Sequence, residues 1–230
     1  MRTIHLGALA IGALALLTFV GGAAAQTTSS AVLNSLEVQE LIKRAAPADH
    51  ARLEVHFSVL AEQYSAEAKR HSAMARAFIA SPTGRVAANS AADHCKRLEQ
   101  LNLQSAATVR ELATYHEGLA AGKVSAVPRD AARFEGGAGA TVPTAEELGA
   151  LAAKASTPAD HRGLEEYFLT VAKRYTADAK DHVAMASAYR GTRIAQAAAH
   201  CDRLITLSRD SAKEATAAAA MHKQLAGVAR

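Results

Sequence analysis

The chain of 230 residues lacks tryptophan, has only two cysteines and five prolines, and carries few aromatic side chains. No stretch alternates β-branched apolar residues with polar ones, so the sequence does not predict a set of strands. The net charge of +4 is small and the basic residues are spread along the chain, which argues against a nucleic-acid partner. Alanine dominates instead, and it favours helices because it loses almost no side-chain entropy in them.

Catalytic motifs are missing as well. The chain contains no G-x-S-x-G, H-E-x-x-H or C-x-x-C-H motif and no glycine-rich phosphate loop after a strand. The two cysteines do not form a C-x-x-C pair, so disulfide exchange is not expected. Carboxylates do not recur as the Glu-x-x-His pairs of di-iron bundles either. The sequence therefore predicts a protein that is not an enzyme.

The N-terminus has the pattern of a bacterial export signal. A short polar start is followed by an apolar stretch over residues 6–20 and by three alanines that end at Ala25. We therefore expect residues 1–25 to be a signal peptide, cleaved near Ala25, and the mature protein to be periplasmic or secreted. An uncleaved membrane anchor is the alternative. No later run is long and apolar enough to predict a transmembrane span.

The rest of the chain is an internal duplication. Residues 47–75 align with residues 158–186 without a gap, with 16 identities in 29 positions. We therefore predict a first helical-hairpin repeat over residues 26–121, a flexible Gly/Pro linker over 122–142 and a second repeat over 143–230. Two copies are too few for a solenoid, so the repeats are expected to pack as one bundle.

Each repeat predicts a short helix, near residues 34–45 and 144–155, followed by two long helices joined by a turn. The first long helix is expected to open at Pro47 or Pro158, because proline suits the first helical position. The predicted fold is all-α: an up-down-up-down four-helix bundle built from two duplicated helical hairpins, each preceded by a short helix. Oppositely oriented hairpins remain open, since the linker is long enough to permit them.

Eight of the nine histidines after the predicted signal come in four duplicated pairs. Residues equidistant from a hairpin turn lie at the same level, so in the predicted topology one group gathers near the turns. This turn-end set is expected to include two methionines as metal ligands, with two carboxylates that orient the imidazoles. It consists of His71, His94, His182, His200, Met74 and Met185, with Glu67 and Asp178 as the orienting carboxylates.

The other duplicated histidines are expected to gather at the opposite level of the bundle. This open-end set is either hydrogen-bonded core or a second metal cluster, and it consists of His50, His116, His161, His222, Asp49 and Asp160. Cys95 and Cys201 also correspond in the duplication. An oxidising compartment favours a disulfide between them, while thiolate ligation or free thiols stay open.

Two functions follow from these patterns. Imidazole, thioether and thiol groups suit copper or zinc, and haem less readily, which predicts an exported protein that binds or buffers a transition metal. In a general way, the export signal and the His/Met-bearing helices resemble periplasmic copper-handling bundles, a likeness that covers only the turn-end set. The alternative is a non-catalytic envelope scaffold or chaperone-like protein that binds a protein partner, with structural histidines, an inter-hairpin disulfide and no cofactor.

Overall fold

The structure is a computed structural model that describes residues 32–81, 85–121 and 142–228, without the side chains of residues 85–87. The predicted signal peptide and all but the last residue of the predicted linker lie outside the described residues. Within the described residues, no helix combines the length and the apolar character needed to cross a membrane.

The described parts of the chain are helical and contain no strand, which confirms the all-α prediction. A single 3₁₀ turn, Ala195–Ala197, precedes the last helix. The helices are α1 Ser35–Arg44, α2 Pro47–Ala80, α3 Arg85–Ala120, α4 Ala145–Lys154, α5 Pro158–Arg190 and α6 Ala198–Val228.

Reciprocal capping fixes the starts of the two short helices. The Asn34 side chain accepts a hydrogen bond from the Glu37 backbone N–H at 3.0 Å, and the Glu37 carboxylate accepts one from the Asn34 N–H at 2.8 Å. Thr144 and Glu147 repeat this arrangement at the start of α4. Two otherwise unpaired backbone donors are thereby satisfied at each end.

The two hairpins predicted from the sequence are present, and they pack together. Helix α2 packs along α3, α5 packs along α6, and α3 meets α6 between the hairpins. The short helices cross over: α4 packs on α2, and α1 packs more on α5 than on its own neighbour α2. Each repeat therefore supplies a short helix to the other one.

The predicted up-down-up-down order is wrong, because the two hairpins point in opposite directions. His116, near the end of α3, contacts Tyr189, which lies beside the second chain reversal. Phe78, beside the first chain reversal, contacts His222 near the end of α6. We call the His116–Tyr189 end the first pole and the Phe78–His222 end the second pole.

Chain length explains why this order is reachable. The segment of residues 122–142 can span roughly 70 Å when extended. The 36 residues of α3 rise roughly 54 Å. The segment is therefore long enough to return the chain to either end of the first hairpin, and it does not dictate the topology.

The predicted apolar stripes of α2 and α5 form the core. Phe57, its counterpart Phe168 and Tyr189 are fully buried, and Tyr175 is nearly so. Burying side chains of this size contributes roughly 1.5–3 kcal/mol each. These rings compensate for the small alanines of the seam, and they lie beside the duplicated histidines.

Candidate functional site

The turn-end set does not converge, because the two chain reversals lie at opposite poles. His94 Nδ1 lies 2.6 Å from Glu214 Oε1, whereas His200 Nδ1 lies 3.5 Å from Glu111 Oε2. Both contacts join α3 to α6, and on α3 they lie 17 residues apart, a rise of roughly 25 Å. The predicted four-histidine cluster is therefore wrong as a geometry.

The remaining members of the turn-end set lie in the core. His71 stacks on the ring of Phe168 with centroids 6.2 Å apart. His182 Nε2 lies 3.3 Å from the Tyr64 hydroxyl. Met74 and Met185 are buried among apolar side chains. Within residues 32–81, 85–121 and 142–228, no group of three or more His, Cys, Asp or Glu side chains is placed to hold a metal ion.

The two cysteines are free and buried. Cys95 follows His94, whose partner Glu214 lies 13 residues beyond Cys201 on α6, a rise of roughly 20 Å. A disulfide needs Cα atoms closer than about 7 Å, so the predicted bond is not formed within the chain. Burial also raises the pKa of Cys201 to about 12 and that of Cys95 further, which disfavours thiolate ligation.

The open-end set forms two imidazole pairs instead of one cluster. His50 Nδ1 and His116 Nδ1 lie 3.1 Å apart, and we call them the first pair. His161 Nδ1 and His222 Nδ1 lie 3.3 Å apart and form the second pair. The prediction that these residues share a level within each hairpin is confirmed, but the pairs lie at opposite poles.

Each pair lies against the corresponding phenylalanine of its own repeat. Phe57 stacks on His116 with centroids 5.5 Å apart, and Phe168 stacks on His222 at 5.6 Å. The four imidazoles are between 0% and 9% exposed. The duplication has therefore preserved a complete local structure, with two facing imidazoles beneath a phenyl ring.

Burial keeps these imidazoles neutral. It lowers the pKa of His116 and of His222 to about 3, with smaller contributions from neighbouring imidazoles. It also lowers the pKa of His50 and of His161. Each ring is therefore neutral at pH 7, with one protonated nitrogen and one nitrogen that carries a lone pair, which is the form that binds metal ions.

The two pairs differ in two neighbours: Tyr115 packs edge-on against His116 where the second copy has Met221, and the ring behind the inner histidine differs. His116 Nε2 lies 2.6 Å from the Tyr189 hydroxyl. The position that corresponds to Tyr189 is Phe78, and His222 Nε2 is buried with no hydrogen-bond partner. Only the first pair thus has a polar group behind the imidazole.

The two predicted carboxylates at this level serve the backbone. Asp49 pairs with Arg44 at 2.7 Å and accepts from the Ala46 N–H. Asp160 accepts hydrogen bonds from Thr157 and from the Ser156 backbone N–H. Both side chains cap a long helix, so neither is positioned as a metal ligand.

A buried charge network occupies the middle of the bundle. The Glu67 carboxylate is 2% exposed and lies 2.9 Å from Arg70 and 3.0 Å from Arg174, and it accepts a hydrogen bond from the Tyr167 hydroxyl. His71 Nε2 approaches it at 3.4 Å. Burial would raise the pKa of Glu67, but His71 and the two guanidinium groups hold it well below its usual range.

Asp178, the counterpart of Glu67, has a different environment. Burial raises its pKa to about 6, since Arg174 compensates only in part. The Tyr64 hydroxyl lies 3.5 Å from Asp178 and 3.3 Å from His182 Nε2, so it stands between the carboxylate and the imidazole. Glu67 approaches His71 Nε2 at 3.4 Å, but neither ring nitrogen of His71 has a hydrogen-bond partner. The predicted orienting hydrogen bond is therefore formed neither by Glu67 on His71 nor by Asp178 on His182.

A cleft of about 580 Å³ opens beside this network, between α2 and α5. Val59, Leu60 and Val142 contribute apolar walls, and Glu67 and Arg174 lie at its polar side. Sequence reasoning missed Arg174 and Tyr167, because their partner is about a hundred residues away. It also missed Tyr189, although the change from Phe78 to Tyr189 between the copies marks the position.

The comparisons with known proteins give no functional assignment. A scan against protein-family models finds no match, and neither do searches of curated proteins and of solved structures.

Proposed function

We propose that this protein is an exported, non-catalytic helical bundle that binds a transition-metal ion, copper or zinc, through each of its two imidazole pairs. The observation that carries the proposal is the duplicated Nδ1–Nδ1 separation of 3.1 Å and 3.3 Å. Zinc lies about 2.0–2.1 Å from imidazole nitrogens, so two nitrogens at these separations subtend about 95–111° at the metal. That angle suits a tetrahedral ion.

The protonation state of the pairs supports the same function. Metal ligation requires neutral imidazole, and burial lowers the pKa of all four rings. A metal ion held by both Nδ1 atoms would replace the proton that lies between them, and that proton would move to Nε2 of its own ring, so that both imidazoles stay neutral. Water or an external ligand would complete the coordination.

Haem fits the pairs poorly. Axial imidazoles bind opposite faces of a porphyrin, and nitrogens 3.1 Å apart leave no room for a macrocycle between them. The envelope-scaffold alternative has no specific contact in its favour, since the large exposed apolar side chains are distributed over different helices. The zinc titration below tests this alternative, because a scaffold whose imidazole pairs are only buried hydrogen bonds would bind no metal.

Zinc titration of the full chain tests the proposal, with native mass spectrometry to count the ions and calorimetry to measure affinity. The wild type is expected to bind two zinc ions. His50→Gln and His161→Gln, at the rims of the pairs, are each expected to bind one, and the double variant none. Far-UV circular dichroism checks that each variant is folded.

His94→Gln and His200→Gln are the matched controls, because these partly exposed histidines lie near the same poles but outside the pairs. Both are expected to keep two ions. A folded wild-type chain that binds no zinc or copper would overturn the proposal, and so would loss of metal from the controls with retention in the pair variants.

A further inference from the structure

The two imidazole pairs differ in the ring that lies behind the inner histidine. At the first pole the Tyr189 and His116 ring centroids are 5.8 Å apart with planes at 31°. At the second pole the Phe78 and His222 centroids are 5.7 Å apart with planes at 30°. The geometry is thus the same to within 0.1 Å and 1°, and the chemical difference is one hydroxyl group.

That hydroxyl has a clear partner. Tyr189 is fully buried and its oxygen lies 2.6 Å from His116 Nε2. At the second pole the equivalent oxygen is missing, and His222 Nε2 is a buried polar atom without a hydrogen-bond partner. A buried donor or acceptor without a partner destabilises the folded state.

Metal ligation makes this difference matter. A neutral imidazole that coordinates a metal through Nδ1 must carry its proton on Nε2. With a metal at Nδ1, that N–H of the first pair would donate to the Tyr189 oxygen, which holds the ring orientation. In the second pair the same N–H has no acceptor, so the metal-binding tautomer of His222 places a donor against the Phe78 ring.

We infer that the two sites are unequal, with the His50–His116 site as the high-affinity site and Tyr189 as its positioning residue. This inference rests on the proposed function, since it concerns metal bound at the pairs. Losing a hydrogen-bond partner behind a ligating histidine typically weakens metal affinity about 10–100-fold. The first site should therefore bind zinc tighter than the second by about that factor.

Reciprocal exchange of the two aromatic residues tests the inference. Each site is measured alone, in a His161→Gln background for the first and a His50→Gln background for the second, by zinc competition with a chromophoric chelator. Tyr189→Phe is expected to weaken the first site about 10–100-fold. Phe78→Tyr is expected to strengthen the second site by a similar factor, and a gain of affinity cannot come from misfolding.

A second readout is the ¹⁵N spectrum of the zinc-bound imidazoles, because a Tyr189 ring that acts only by packing would leave the His116 Nε2 resonance unchanged in Tyr189→Phe. His116 Nε2 is expected to be protonated and hydrogen-bonded in the wild type and to lose that hydrogen bond in Tyr189→Phe. The inference would be overturned if the two sites had equal zinc affinities, or if neither Tyr189→Phe nor Phe78→Tyr changed the affinity of its site. Either result would leave the proposed function intact. Failure of the proposed function looks different, because neither background then binds zinc.

Discussion

Glu67 and Asp178 occupy equivalent positions of the duplication, yet burial acts on them in opposite ways. Glu67 lies against Arg70 and Arg174, which keep it ionised. Asp178 lacks such a pair of cations, and burial raises its pKa to about 6. The reason is visible in the alignment, because the position that corresponds to Arg174 is Gln63.

This asymmetry predicts opposite effects of two isosteric substitutions at pH 7. Glu67→Gln leaves two guanidinium groups without their carboxylate, so the free energy of unfolding should fall by about 1–3 kcal/mol. This loss is smaller than for a fully buried ion pair, because Arg174 is partly exposed. Asp178→Asn removes a charge that burial opposes, so it should leave stability unchanged or higher. Urea denaturation measures both, and equal losses would contradict the account.

At the scale of helices, local signals in the sequence predict most of the structure. Capping pairs such as Asn34 with Glu37 and the prolines at positions 47 and 158 set helix starts within a residue or two. The partners of α1 and α4 were not predictable, because their apolar faces fit either long helix.

The exchange of short helices between repeats can be tested on glycines. A Cβ on Gly149 of α4 would lie 3.7 Å from the Ala73 Cβ of α2, whereas a Cβ on Gly163 of α5 has nothing within 4 Å. Gly149→Leu should overpack this contact and lower stability by about 1–3 kcal/mol. Gly163→Leu should raise stability by about 0.5–1 kcal/mol, because leucine favours helix over glycine. Similar effects in thermal unfolding would mean that α4 does not pack on α2.

At the scale of the whole molecule, buried histidines predict the response to acid. Burial lowers the pKa of His56 and His182 to about 4, and that of His116 and His222 to about 3. Below the unfolded value of about 6.5, the unfolded chain takes up protons that the folded chain does not. Stability is therefore complete above pH 6.5 and is lost as the pH falls towards the folded values.

Each of these histidines lowers the free energy of unfolding by about 1.4 kcal/mol for each pH unit of acidification within that window. Asp178 acts in the opposite direction between pH 6 and its unfolded pKa of 3.8, but it is one group against four. The urea midpoint should therefore fall steadily between pH 6.5 and pH 4.5. A midpoint that is the same at both pH values would contradict the neutral, buried state of the imidazoles.

The relative orientation of the hairpins is what sequence reasoning could not supply. His50, Phe57 and Tyr64 form a stripe on α2, and this stripe and its copy on α5 can face each other in either direction. The segment between the repeats is long enough for either end of the first hairpin. In-hairpin pairing was predictable, because equal distances from a turn bring His50 level with His116. The two imidazole pairs were thus predictable. The clusters of four that the sequence predicted depended on a hairpin orientation that the structure does not have.

The distance between metal ions bound at the two imidazole pairs depends on the orientation of the hairpins, so one measurement tests both orientation and metal binding. His222 lies against Phe78, which is 28 residues from His50 on α2, so ions in the two pairs should be roughly 40 Å apart. Double electron–electron resonance on the full chain loaded with two equivalents of Cu²⁺ measures this separation directly. The account predicts a copper–copper distance near 40 Å that disappears in His50→Gln. A distance below about 20 Å, or a folded chain that binds no copper, would contradict it.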